Sequence, residues 1–155
     1  LAEAEGGPPQ VILIASGSEV AIALEARERL AADGVHARVV SMPSWALFER
    51  QPRSYRNEVL PPEVHARLGV EAAEAMGWEQ WVGERGDAIG MLHFGQSAPA
   101  RELFHQHGFT AENVAERAKA LLGRPARTNG RPVVGPEGAG PARLGVDETA
   151  AEGAG

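Results

Sequence analysis

Five histidines are the side chains best suited to acid–base or metal chemistry in this sequence. His36 and His65 open strand-like runs and His93 closes one, while His105 and His107 stand two apart on a helical stretch and diverge. No Asp or Glu converges with them at ligand spacing, so the pattern does not point to zinc. Cysteine is absent, which removes disulfides and thiolate metal sites and suits the cytoplasm. His93, followed by Gly95, Gln96 and Ser97, is retained as a lone ligand candidate. A second candidate is the junction "ASGSEV", where a strand passes through Gly17 into a helix. Amide groups at a helix start can hold an anion. The junction lacks the further glycines and the Lys of a P-loop or dinucleotide fingerprint. A third is "AMGWEQWVG", with Trp78 and Trp81 three apart between Gly77 and Gly83. Such a pair can anchor an interface or fill a core.

These side chains need a scaffold, and the runs between them supply one. "QVILIAS" (10–16) is aliphatic throughout, as a strand covered on both faces must be. "GSEVAIALEARERLAADG" reads as a helix with Ser18 as its cap, Glu19 in the first turn and Gly34 at the stop. Val20, Ala23, Leu24, Leu30 and Ala31 form its apolar face, with Arg27 snorkelling at the border. Further strands are expected at 36–43, 63–72 and 87–94. The third of the four alternates through Val64, Ala66, Leu68 and Val70. Helices are expected at 98–108 and over "TAENVAERAKALLG", the latter capped by Thr110 with Val114, Ala118, Leu121 and Leu122 inward. Alternating strands and helices predict an α/β fold with a mainly parallel sheet of four strands.

"SMPSWALFERQPRSYRNEVLPP" (41–62) links the second and third strands. Pro43 ends the strand, Ser44 caps a short helix carrying Trp45 and Phe48, and Pro52 starts another that stops before Pro61 and Pro62. The segment reads as a proline-bounded crossover held down by its aromatics. After Gly123 the composition turns to Gly and Pro without aromatics. Residues 1–122 are therefore expected to form one domain, and 123–155 a disordered tail. The net charge of −6, with both signs interspersed, argues against nucleic acid and membrane surfaces as partners. No run approaches the length of a membrane span. Leu1 stands where Met would, and the chain reads as a piece of something longer.

The order of motifs resembles the C-terminal domain of transketolase over roughly residues 1–122. The matching positions are Gly17-Ser18-Glu19-Val20, then Ser41, Pro43 and Phe48, Tyr55-Arg56 and Leu60-Pro61-Pro62. "VEAAEAMGWEQWVG" (70–83) and "HFGQSAPARELFHQHGFTAENV" (93–114) agree as well. The resemblance implies a three-layer α/β/α sandwich whose fifth, antiparallel edge strand is mostly missing ahead of Leu1, leaving the strand at 36–42 as the open edge. It implies a transferase of the pentose phosphate pathway that moves a ketol unit between sugar phosphates. Such an enzyme uses thiamine diphosphate and a divalent metal (Mg or Ca), as a homodimer. Those groups belong to the remaining transketolase domains, so no catalytic, cofactor or metal residue is assigned here and no catalysis is expected of this stretch alone. His93, Arg27 and the tail depart from the family pattern. Another thiamine-diphosphate enzyme of the same build, such as a deoxyxylulose-phosphate synthase or a dehydrogenase beta subunit, is the related alternative.

With the family's strand order, the first and third strands flank the point where the sheet reverses, and ligands favour the strand ends there. Ser16, Gly17, Ser18 and Glu71 would line that crevice. Two readings of the domain follow: a structural lobe that supports the dimer, with Trp78 and Trp81 at an interface, and a module that binds a small anion or metabolite.

Overall fold

The computed structural model describes residues 1–72, 76–90 and 108–123. Four strands, β1 (Val11–Ala15), β2 (Ala37–Ser41), β3 (Arg67–Val70) and β4 (Asp87–Ile89), form one sheet in the order β2-β1-β3-β4. Every pair is parallel, with Leu13 opposite Val39 on one side and Leu68 on the other. The unbroken apolar run of β1 is explained by its place in the middle: all five residues are fully buried.

Period-two alternation sends β1 into two separate cores. Val11, Leu13 and Ala15 meet helices α1 (Glu19–Ala32) and α5 (Ala111–Leu122). Ile12 and Ile14 face the other way, toward α2 (Trp45–Glu49), α3 (Arg53–Val59) and α4 (Glu79–Val82). The three-layer α/β/α arrangement expected from the sequence is therefore present among the described residues.

The helix α5 follows its reading closely. Thr110 accepts from the Asn113 amide at 3.2 Å, and Val114, Ala118 and Leu121 are buried. Helix α1 departs from it in two ways. Its buried face is Ala23, Ala26 and Leu30, while Leu24 is exposed and Val20 and Ala31 are half-buried. Ser18 does not cap through its side chain, since it already has helical backbone angles and its hydroxyl donates to Glu19 Oε1 at 2.9 Å. Arg27 lies at the border as expected, paired with Glu5 at 2.8 Å and donating to the Glu3 carbonyl.

The crossover forms as read. Ser44 accepts from the Leu47 amide at 3.3 Å, and Pro52 precedes α3. Trp45 and Phe48 pack on the second core. β2 is the outer strand, and among the described residues its free side carries a single antiparallel bridge, Ala2 to Val39. Arg38 ties this margin together: it donates to Glu3 Oε2 at 2.8 Å and to the Glu58 carbonyl at 2.6 Å. β4 is anchored by Asp87, buried and paired with Arg117 of α5 at 2.5 Å. β3 is shorter than expected: Val64 and Ala66 are buried ahead of it, and the Ala66 carbonyl accepts from the Ile12 amide at 2.9 Å. The expected helix at 98–108, apart from its stop at Gly108, lies outside the described residues. So do the end of the strand expected at 87–94 and the tail from 124.

Candidate functional site

The reversal of strand order falls between β1 and β3, so their C-terminal ends define the candidate crevice. Two residues proposed from sequence meet there. Ser16, just past β1, donates from its hydroxyl to Glu71 Oε2 at 2.7 Å. Gly17 makes the turn into α1 with φ of +54°, a value that a residue with a Cβ seldom takes. Ser18 follows and engages Glu19, whose side chain is buried. Glu19 is not among the site residues expected from sequence, although a carboxylate in the first turn of α1 is its signal.

This group of side chains is chemically unlike an anion site. It offers two carboxylates and two hydroxyls that bond to one another. The amides of Glu19 and Ala21 are also spent on the carbonyls of Ser16 and Ser18, at 3.2 and 3.3 Å. An anion at this helix start would face negative charge with few free donors. His93, the remaining candidate of the set, lies outside the described residues.

Trp78 and Trp81 require a correction. Their rings are 1% and 7% exposed and belong to the second core, so they are committed to packing within the domain rather than to an outer interface. The reason is the short helix α4, too brief for periodicity to reveal, which turns both rings toward the sheet. Trp78 lies on the backbone of Gly69, where a Cβ would come within 2.7 Å of the ring. Trp45 meets Trp78 edge-on at 5.4 Å between centroids, and Phe48 meets Trp81 in the same manner at 5.4 Å. The row continues from Phe48 to Tyr55 at 6.2 Å.

Sequence reasoning also passed over Arg67. Its guanidinium donates to the carbonyls of Val64, Trp81, Leu60 and Pro61, at 2.8 to 3.3 Å. Burial lowers its pKa from the ordinary arginine value, and the nearby Glu63 carboxylate opposes that. A single Arg out of phase with buried Val64, Ala66, Leu68 and Val70 was the available signal. Next to the crossover lies a groove of about 380 Å³ lined by Val40, Met42, Pro43, Phe48, Tyr55 and Val59, among others. Leu47 and Tyr55, both in its lining with the polar Ser41, Ser44 and Gln51, are 60% and 47% exposed.

Among the described residues no three His, Cys, Asp or Glu side chains gather to hold a metal ion. No helix among them is long and apolar enough to cross a membrane.

Residues 1–110 match the family described as "Transketolase-like TK C-terminal domain". The transketolase of Geobacillus stearothermophilus is 51% identical over 121 residues, covering 78% of this chain and 18% of that protein. Transketolase 1 of Escherichia coli K12 is 53% identical over 116 residues, covering 75% of this chain and 18% of that protein. Among solved structures, the transketolase of Pichia stipitis in complex with sedoheptulose 7-phosphate superposes with a TM-score of 0.70. It is 35% identical and covers 77% of this chain and 17% of that one. The chain thus spans less than a fifth of the length of these relatives.

Proposed function

The chain belongs to the transketolase family, matching its C-terminal domain, and from that premise we propose that it serves as the supporting lobe of a larger transketolase. In that reading the whole enzyme is a homodimeric, cytoplasmic transferase of the pentose phosphate pathway, passing a ketol unit between sugar phosphates. It uses thiamine diphosphate and a divalent metal held by the remaining domains. The observation that carries the proposal is the match over residues 1–110 at about half identity to curated transketolases.

The crevice at the switch point does not fit the cofactor. A diphosphate with its metal needs cations or a cluster of carboxylates and carbonyls around the ion. The switch point instead offers Glu19 and Glu71, each already engaged with a serine hydroxyl. No step of the reaction is therefore assigned to residues of this stretch.

The test is an assay of ketol transfer with thiamine diphosphate and Mg²⁺. The complete polypeptide that contains this stretch is expected to turn over ketose and aldose phosphates, and residues 1–155 alone are not. Turnover by residues 1–155 alone would overturn the reading, as would inactivity of the complete polypeptide. The metabolite-module reading draws little from the same geometry, for the crevice lacks the donors that an anion needs. Calorimetric titration of residues 1–155 with sugar phosphates is expected to be silent at millimolar ligand.

A further inference from the structure

Among protein side chains, indoles, phenols and thiols give up an electron most readily. This chain has no cysteine, Tyr55 is its only tyrosine, and Trp45, Trp78 and Trp81 are all of its tryptophans. These four oxidisable rings stand in a single row. Trp78 meets Trp45 at 5.4 Å between centroids and Trp45 meets Trp81 at 6.2 Å. Phe48 then bridges Trp81, at 5.4 Å, to Tyr55, at 6.2 Å. The row is graded in its access to water: Trp78 and Trp81 are buried, Trp45 and Phe48 are half-buried, and Tyr55 is exposed.

Two further observations bear on what an electron vacancy in this row would do. The indole nitrogens of Trp78 and Trp81 are buried, and neither N–H has an acceptor among the described residues. An oxidised indole is a strong acid, but it sheds its proton only to a base within reach. Without one it keeps a positive charge, and an unpaired charge in an apolar core is unfavourable. The vacancy is therefore driven onward instead of settling as a neutral radical. At the other end, the exposed Tyr55 has water to take its proton. The second observation concerns damage. A vacancy that stays on an indole ends in the addition of oxygen to the ring. Trp78 lies so close on β3 that a Cβ at Gly69 would come within 2.7 Å of it, so an enlarged ring is not accommodated there.

We propose that this row is a relay that carries oxidising equivalents from the core tryptophans out to Tyr55 and so protects the second core from radical oxidants. The proposal stands apart from the transketolase reading. A one-electron oxidant such as carbonate radical takes an electron from an indole. An electron from Tyr55 fills the vacancy, the phenolic O–H bond breaks, and the proton goes to water. The net result is one oxidant reduced, one proton released and a neutral phenoxyl radical on Tyr55. A soluble reductant of the ascorbate class returns one electron and one proton and restores the phenol. Phe48 is too hard to oxidise to hold the vacancy, and it serves as the packed bridge across which the last transfer runs.

Two measurements test this. In the first, the complete polypeptide that contains this stretch is exposed to carbonate radical, and peptide mapping reads kynurenine and hydroxytryptophan at Trp78 and Trp81. Tyr55→Phe keeps the ring and its contact with Phe48 and removes only the hydroxyl. It should raise oxidation at both tryptophans severalfold, and unchanged oxidation would overturn the relay. In the second, residues 1–155 are photoionised at the red edge of tryptophan absorption. The indolyl signal should decay as a phenoxyl signal rises, at one rate that does not depend on protein concentration. Phe48→Leu should slow that rate severalfold. Absence of the phenoxyl signal, or a rate proportional to concentration, would defeat the proposal. Should Phe48→Leu or residues 1–155 not fold, Tyr55→Phe in the complete polypeptide decides alone.

Discussion

The hydroxyl of Ser16 donates to Oε2 of Glu71 at 2.7 Å, joining the ends of β1 and β3 where the order of the sheet reverses. In an open α/β sheet that position is usually left to a ligand. Here the protein's own side chains close it. Ser16→Ala removes one charge-assisted bond at a half-buried site and should lower unfolding stability by about 1 kcal/mol. Urea denaturation measures it; an unchanged midpoint would mean that water replaces the hydroxyl at no cost.

Arg67 is a clamp on backbone carbonyls rather than a partner for a carboxylate. Its lowered pKa says that the fold works against the charge, and the four accepting carbonyls offset that cost. Arg67→Met should destabilise by about 3 kcal/mol or more, since several carbonyls lose a charged donor together. Arg67→Lys should recover little of it, because an ammonium cannot reproduce the planar fork. Full recovery by Lys in the same denaturation experiment would refute the geometric account.

Gly69 is fixed by the ring above it. With Trp78 within 2.7 Å of any added Cβ, Gly69→Ala forces either the indole or β3 to shift. The expected cost is about 1–3 kcal/mol, the range for overpacking in a dense core. The shift should also appear in the near-ultraviolet dichroism of the tryptophans.

Lys119 joins α5 to the end of α1. Its ammonium donates to Asp33 and Glu116, and those bonds, chiefly that to Asp33, raise its pKa above the ordinary 10.5. A cation whose folded pKa is raised contributes stability below its unfolded pKa and loses that contribution as pH climbs through the folded value. The difference in melting temperature between wild type and Lys119→Gln should therefore be flat from neutral pH to about 10 and shrink above it. Being exposed, the pair should also weaken with added salt.

The parts legible in the sequence were those where one physical requirement dominates. β1 declares itself because a central strand must be apolar on both faces. α5 does so because Thr110 and the spacing of Val114, Ala118 and Leu121 serve a single packing surface. Ser18 misled because a hydroxyl has two nearby acceptors, and the Glu19 carboxylate competes with the helix for it. The expected apolar face of α1 holds at Ala23 and Leu30 and differs at Ala26, which is buried, and at Leu24, which is not. A helix pressed close to a sheet buries its small residues, Ala23 and Ala26, and leaves Leu24 at the rim. The contact of Ser16 with Glu71 was foreseeable as a location, through strand order, though not as a bond, since side-chain rotation decides it. Trp78 and Trp81 carried two readings from sequence, and the choice depended on α4, a turn too short to leave a periodic trace.

All three tryptophans, Trp45, Trp78 and Trp81, belong to the layer on the α2–α4 side of the sheet. The intrinsic emission of this protein is therefore a one-sided witness: it reports when that layer comes apart and is blind to the layer formed by α1 and α5. A melt followed by fluorescence watches that layer alone, whereas one followed by helical dichroism watches the helices of both layers. Their coincidence or divergence says whether the two cores, which share only the sheet, yield as one.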